Sequence, residues 1–155
     1  RDGSKGWERF AGYTFGYNHS LFVKRTHDVL SLIQYAVTIS RNQSIHLVGL
    51  DKTAGPIALA ARSQAADAVD RTIIDLDGFQ FSELTRHDDP MFVSGSVKYL
   101  DVGGLLSVCA PHDISVAGLP DSSVARQVYS AAGASGNLRI VDRNQRDLML
   151  ERLSP

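Results

Sequence analysis

Asp51 occupies the turn of this sequence that is best suited to carry chemistry. It lies in Gly49-Leu50-Asp51-Lys52-Thr53-Ala54-Gly55, which follows the short apolar run 45–50 and precedes the small, helix-forming residues 57–61. A strand, a tight turn and a small-residue helix form the layout of a nucleophile elbow, in which a G-x-S-x-G turn raises a serine above a sheet. Here Asp51 stands at the serine position and Thr53 at the second glycine. The sequence therefore supplies a carboxylate where that layout has a hydroxyl.

Two roles fit this aspartate. A carboxylate can act as a nucleophile through an ester intermediate. An aspartate can also cap the helix that follows it, because its oxygens accept hydrogen bonds from the first backbone N–H groups and favour the positive end of the helix dipole. Pro56 is expected in the first turn of that helix, where proline is tolerated. The spacing of Gly49 and Gly55 matches neither the P-loop nor the dinucleotide fingerprint, so no phosphate site is predicted.

Apolar runs and turn signals predict that strands and helices alternate around this turn. Strands are expected near 45–50, 72–76, 113–117 and 138–141. Helices are expected from Ser20 onwards, after the elbow, from Ser122 or Ser123 to Gly133, and at 145–153, with a less regular excursion at 79–104 and an apolar segment at 105–110 that fits helix or strand. The alternation predicts an α/β fold, a three-layer sandwich whose mainly parallel sheet of about four strands has helices on both faces.

Composition places the chain among globular domains. Its 155 residues are 43% hydrophobic and 21% charged with a net charge of -1, which suits one domain over 1–155 and gives no sign of disorder or of a nucleic-acid-binding stripe. No apolar run approaches the roughly 20 residues that a membrane span needs. The one cysteine, Cys109, predicts neither an internal disulfide nor a metal site, and it is expected in the core.

The amino-terminal residues carry a different composition from the rest. Residues 1–19 are rich in glycine and aromatic residues and are expected to form an irregular lead-in that covers an apolar surface. Because the chain begins at Arg1, we expect a processed product or a piece of a longer polypeptide. A signal peptide in the parent protein would imply a secreted or periplasmic location, and secretion would allow use of the sequons at Asn18 and Asn42. Otherwise a cytoplasmic location is expected.

Several stretches together resemble an α/β-hydrolase of the acetyl xylan esterase-like branch. In chain order they are FAGYTFGYN at 10–18, HDVL at 27–30, HLVG at 46–49, AGP at 54–56, DPMF at 89–92 and LLSVCAP at 105–111. The resemblance implies that the chain is the C-terminal half of such a fold, with its four strands as the fifth to the eighth of the sheet. The first four strands and the oxyanion loop would then lie in sequence outside this chain.

The resemblance also assigns positions for a catalytic triad, which this chain fills only in part. Asp51 takes the nucleophile place, the backbone N–H of Lys52 the oxyanion place, and Asp121 the acid place, although Asp121 could equally be a helix cap. The fold expects its histidine after the last strand, and no histidine follows His112. His87 could replace that base only through an unusual geometry, and the same holds for His112. The implied triad is therefore degenerate.

These observations favour a hydrolase-fold module without catalysis, which has a structural or partner-binding role. The alternative is a carboxylic-ester hydrolase whose remaining catalytic elements lie outside this segment. No cofactor or metal ion is predicted. The strand at 45–50 has an expected neighbour on one side only and carries neither lysine nor proline to protect its edge. We therefore expect the N-terminal half of the same fold, or another subunit, to add strands along this edge.

Overall fold

The computed structural model describes residues 18–40, 43–142 and 149. Helices in these ranges are α1 (Leu21–Ile39), α2 (Asp51–Arg62), α3 (Asp101–Ser107) and α4 (Ser123–Ala131). The strands are β1 (His46–Gly49), β2 (Arg71–Asp75), β3 (Ile114–Ala117) and β4 (Leu138–Val141), and short 3-10 turns connect several of these elements. Within the described ranges, no helix combines the length and the apolar character that crossing a membrane requires.

The four strands form one parallel sheet in the order β1-β2-β3-β4. Residue 46 lies opposite residue 71, residue 72 opposite residue 114, and residue 114 opposite residue 138. Helices pack around this sheet, which gives the predicted α/β three-layer sandwich, and each strand ends within one residue of its predicted limits. Parallel strands need long crossover connections, and the helices between them supply these.

The core of the molecule lies at the two central strands. All four residues of β3 are buried, as are four of the five residues of β2, whereas β1 buries Gly49 alone. Ile74, Ile114 and Val116 pack there with Leu106 of α3 and Tyr129 of α4. Burying one large apolar side chain contributes about 1.5–3 kcal/mol, so these central contacts dominate the stability of the sheet. The strand β1 is by contrast a half-exposed edge.

Two glycines allow α2 to lie against the sheet at close range. A Cβ atom at Gly55 would overlap the carbonyl oxygen of Asp75 at the end of β2. At Gly49 it would overlap Ala58 and would lie 2.7 Å from the carbonyl oxygen of Ala54, both in α2. Helix and strand backbones therefore approach each other more closely than any side chain would permit, and this fixes where α2 begins.

The helix boundaries correct one prediction and resolve another. Pro56 lies inside α2 and not in its first turn, because the helix begins five residues earlier at Asp51. The Asp51 side chain accepts hydrogen bonds from the first turn of that helix. The apolar segment at 105–110, which fitted helix or strand, provides the end of α3 up to Ser107. The predicted lead-in at 1–19 and the helix at 145–153 lie outside the described residues, apart from residues 18, 19 and the buried Met149.

Candidate functional site

Asp51 sits at a sharp turn between β1 and α2, as the sequence predicts. Its φ angle is 79°, in the left-handed region that residues other than glycine seldom adopt. Backbone conformations of this kind persist only where the surrounding structure holds them, and here the close packing at Gly49 and Gly55 does so. The chain thus forms a strained strand-turn-helix with an aspartate at its apex.

The carboxylate of Asp51 is bound to the helix that it begins. Its Oδ1 accepts hydrogen bonds from the backbone N–H of Thr53 at 2.7 Å and of Ala54 at 3.0 Å. The bond from Ala54 and then that from Thr53 lower the pKa of Asp51, since both favour the ionised form. The side chain therefore acts as an exposed, ionised helix cap.

Lys52, whose backbone N–H was the predicted oxyanion donor, is the second residue of α2. Backbone N–H groups in a first helical turn have no acceptor within the helix, so its location suits a donor role. The Asp51 carboxylate is attached to the preceding residue and is bound to the next two N–H groups of the same turn. Its negative charge disfavours a second anionic oxygen at this turn.

Asp121, the predicted acid, caps a different helix. Its Oδ1 accepts from the backbone N–H of Ser123 at 2.8 Å, and its Oδ2 lies 3.1 Å from the Ser123 hydroxyl. The same bonds lower the pKa of Asp121. A helix cap is one of the two roles that the sequence allowed for Asp121, and Ser122 at the N-cap position makes no side-chain cap bond.

The structure leaves Asp51 and Asp121 apart. Asp51 follows β1 and Asp121 follows β3, with β2 between the two strands. At the usual spacing of about 4.8 Å per strand, the strands that lead to them are roughly 10 Å apart. Asp121 borders a cavity of about 290 Å³ together with Asp101 and Pro120, and Asp51 does not border it. Each of these two carboxylates instead caps the helix that follows it.

The histidines of the sheet lie at its other end. Asp51 is at the carboxyl end of β1, whereas His46 begins β1 and His112 precedes β3, both at the amino ends of their strands. Three steps of about 3.3 Å along a strand separate its first and fourth residues. His112 lies near Asp67, with 3.9 Å between Nδ1 and Oδ1. Neither imidazole is placed to remove a proton at the elbow.

The sequence did not indicate a buried arginine at the carboxyl end of α2. Arg62 is 1% exposed, and its Nη2 donates to the carbonyl oxygen of Ala66 at 2.8 Å. Within the described part of the chain its Nε and Nη1 have no hydrogen-bond partner. Burial lowers the pKa of this guanidinium, and the neighbouring Cys109 and Tyr129 partly offset that shift. Arginine is seldom buried to this extent, so the residue type alone did not predict a buried position.

Two further groups complete this buried cluster. The Cys109 thiol lies 3.5 Å from the carbonyl oxygen of Leu105, and burial raises its pKa to about 12. The Tyr129 hydroxyl donates to the carbonyl oxygen of His112 at 3.1 Å. Burial, and then the nearby Arg62 charge, lower the pKa of His112. A thiol this far from ionisation is not a nucleophile, so the cluster is structural.

Asp101 is a carboxylate whose role the sequence did not reveal. Its two oxygens accept from the backbone N–H groups of Phe81 and Ser82 at 2.8 Å, and it begins α3 with a φ of 55°. Burial raises the pKa of Asp101, but these N–H donors outweigh burial and hold the pKa below its ordinary value. Asp101 therefore links residues 81 and 82 to the start of α3, although about twenty positions of sequence separate them.

Searches of protein-family models, of curated proteins and of solved structures found no match to this chain. Over the described ranges, no group of three or more histidine, cysteine, aspartate or glutamate side chains is arranged to hold a metal ion. The turn between β1 and α2 is strained at Asp51, whose carboxylate caps the helix. The second predicted carboxylate and two of the histidines lie elsewhere on the sheet.

Proposed function

We propose that this chain is a catalytically degenerate module of the α/β-hydrolase type, the C-terminal half of such a fold, with a structural or partner-binding role. The observation that supports this proposal is the position of the Asp51 carboxylate against its own helix. Two backbone N–H groups bind it at 2.7 and 3.0 Å, which stabilises its anion and reduces its nucleophilicity. Ester hydrolysis also needs a general base, and His46 and His112 are at the opposite end of the sheet. His87 lies in the 79–104 excursion, where its Nε2 is buried and, in the described part of the chain, has no hydrogen-bond partner.

The partner-binding role is supported by the edge of β1. The carbonyl oxygen of Ile45 accepts from the backbone N–H of Asp70 at 2.9 Å, so Ile45 faces β2. Backbone groups of successive strand residues point to opposite sides, and those of His46 and Val48 therefore point away from β2. In the described part of the chain β1 pairs with β2 alone. A strand from the N-terminal half of the same fold, or from another subunit, fits this edge.

A second candidate is a carboxylic-ester hydrolase of the acetyl xylan esterase type, with its remaining elements outside this segment. The retained elbow favours it, because Asp51 keeps a φ of 79° and two glycines keep α2 close to the sheet. In that case the aspartate would form an ester intermediate, as carboxylate nucleophiles do.

Hydrolysis of p-nitrophenyl acetate tests whether this chain is catalytic by itself. The chain should release p-nitrophenol at the rate of the uncatalysed reaction, since a base and an oxyanion site each contribute orders of magnitude in rate. Asp51→Asn preserves a capping oxygen, so circular dichroism should show an unchanged fold. Turnover that vanishes in Asp51→Asn and persists in the control Asp67→Asn, at a fully exposed carboxylate, would establish the esterase instead.

A further inference from the structure

Helix α1 carries a stripe of residues beside its buried face, exposed except at the half-buried Arg25. The stripe consists of Leu21, Arg25, Asp28, Leu32, Tyr35 and Ile39, which follow one another at alternating spacings of four and three residues. Leu21 is 45% exposed and Leu32 is 66% exposed. Spacing of this kind is the seam with which one helix packs along another. We call these six residues the α1 stripe.

The middle of the α1 stripe lies beside the open edge of β1. Arg25 and Asp28 border an open groove of about 410 Å³, together with Leu47 and Val48 of the strand. Val48 is 39% exposed although it belongs to a strand. The open edge of β1 and the middle of the α1 stripe therefore border one groove.

We infer that a second copy of this chain binds this surface, related to the first by a two-fold axis. The inference rests on the proposed partner-binding role and names the partner. The backbone groups of His46 and Val48 face the open side, so β1 can pair antiparallel with β1 of the second copy. With residue 46 opposite residue 48 of the other copy, both pairs exchange two N–H···O=C bonds each, which gives four bonds centred on Leu47. Pairing 46 with 46, or 48 with 48, would form only one such pair.

The charges of the α1 stripe agree with the same axis. Leu47 borders the same groove as Arg25 and Asp28. An axis at Leu47 therefore brings the two α1 helices side by side and antiparallel near these residues. Arg25 of each copy then faces Asp28 of the other, and the same alignment sets Leu21 opposite Leu32. In the described ranges neither Arg25 nor Asp28 belongs to an ion pair.

This arrangement is self-complementary, which is the requirement for a two-fold interface. Each charged contact occurs twice, apolar pairs flank the charges, and the sheet continues across the axis from one copy to the other. A partner of unrelated sequence would have to supply an acidic and a basic side chain in the matching order. The second copy already carries both.

Charge reversal tests the inference by molar mass, measured with light scattering or sedimentation across the micromolar range. The chain should have twice its mass of 16.9 kDa. Arg25→Asp and Asp28→Arg should each be monomers, because each variant sets like charges opposite each other. An equimolar mixture of the two variants should form a dimer again, and so should the double variant. Arg126→Asp, an equal charge change on α4, should leave the dimer intact.

Other results would overturn the inference. It is wrong if the unmodified chain remains a monomer, or if it forms a dimer that neither charge reversal dissociates. Leu32→Glu, at an exposed position of the α1 stripe, should also give a monomer with unchanged circular dichroism. A monomer that binds a different polypeptide through β1 would exclude the second copy while leaving the partner-binding role. The ester assay tests the absence of catalysis separately.

Discussion

Each end of helix α2 carries a charged side chain, and the surroundings of the two charges differ. At the amino end Asp51 is exposed and its carboxylate receives two backbone N–H bonds. At the carboxyl end Arg62 is buried, and its guanidinium donates to the carbonyl oxygen of Ala66. Both residues have the sign that the helix dipole favours at their end. Their contributions to the free energy of unfolding should nevertheless differ.

The pKa values show the difference. The pKa of Asp51 is lowered because hydrogen bonds stabilise its charged form. The pKa of Arg62 is lowered because burial destabilises its charged form. The same direction of shift therefore means a favourable charge at one end of α2 and an unfavourable charge at the other. What Arg62 contributes should be the volume of its side chain more than its charge.

Two substitutions of Arg62 separate these contributions and should give the largest effect. Arg62→Ala removes most of a buried side chain and should lower the free energy of unfolding by about 3 kcal/mol, because a cavity remains. Arg62→Met keeps much of the volume without the charge and should stay within about 1 kcal/mol of the original chain. Urea unfolding monitored by circular dichroism measures both values.

The histidine near this cluster provides an independent measurement. Since the Arg62 charge helps to lower the pKa of His112, Arg62→Met should raise that pKa toward its ordinary value of 6.5, as followed by NMR titration. If methionine proves as destabilising as alanine, the buried charge itself stabilises the fold. The contrast between the two ends of α2 would then be wrong.

At the amino end of α2 the packing of glycine should matter more than the aspartate. Gly55→Ala places a methyl group against the carbonyl oxygen of Asp75, so α2 must shift away from β2. This shift should lower the free energy of unfolding by about 1–3 kcal/mol. Gly136→Ala is the matched control, because its Cβ would meet nothing within 4 Å. Thermal unfolding of both variants compares them. Equal midpoints would mean that α2 moves away from β2 without difficulty.

Removal of the cap itself should give the smallest effect. Asp51→Ala should lower the free energy of unfolding by about 1 kcal/mol, whereas Asp51→Asn should lower it by a few tenths, since asparagine also caps and tolerates a positive φ. The folded-state pKa of Asp51 is below 3.8, so its contribution is complete above pH 3.8 and is lost as the pH falls through the folded value. The deficit of Asp51→Ala should therefore shrink in acid. A deficit independent of pH would exclude the ionised cap.

The strands could be predicted from sequence because the physical signal is local. Buried parallel strands are short apolar runs, and the segments 72–76 and 113–117 carry that signal without any knowledge of their neighbours. The turn at Asp51 was found for a similar reason, since a glycine, an aspartate and small helix-forming residues follow one another within a few positions. The structure then showed the capping contact that the sequence could only offer as one of two roles.

Contacts between distant segments gave no such signal. Asp101 binds backbone groups of residues 81 and 82, and neither segment indicates the other in sequence. Arg62 follows the alanine-rich residues 58–61 at a helix end, where an arginine normally reaches solvent. The α1 stripe is visible as spacing, but only the structure shows that it adjoins the open edge of β1. These features depend on how separate elements meet, which periodicity does not report.

Because Cys109 is buried, the reactivity of its thiol reports local unfolding of this chain. The thiol is inaccessible, and its pKa of about 12 leaves almost no thiolate at neutral pH, so an alkylating reagent can react only when the surroundings of α3 come apart. Because the chain has a single cysteine, every modified molecule records one opening event at one known place. The rate of labelling in the native state therefore measures how often the centre of the fold becomes accessible to solvent.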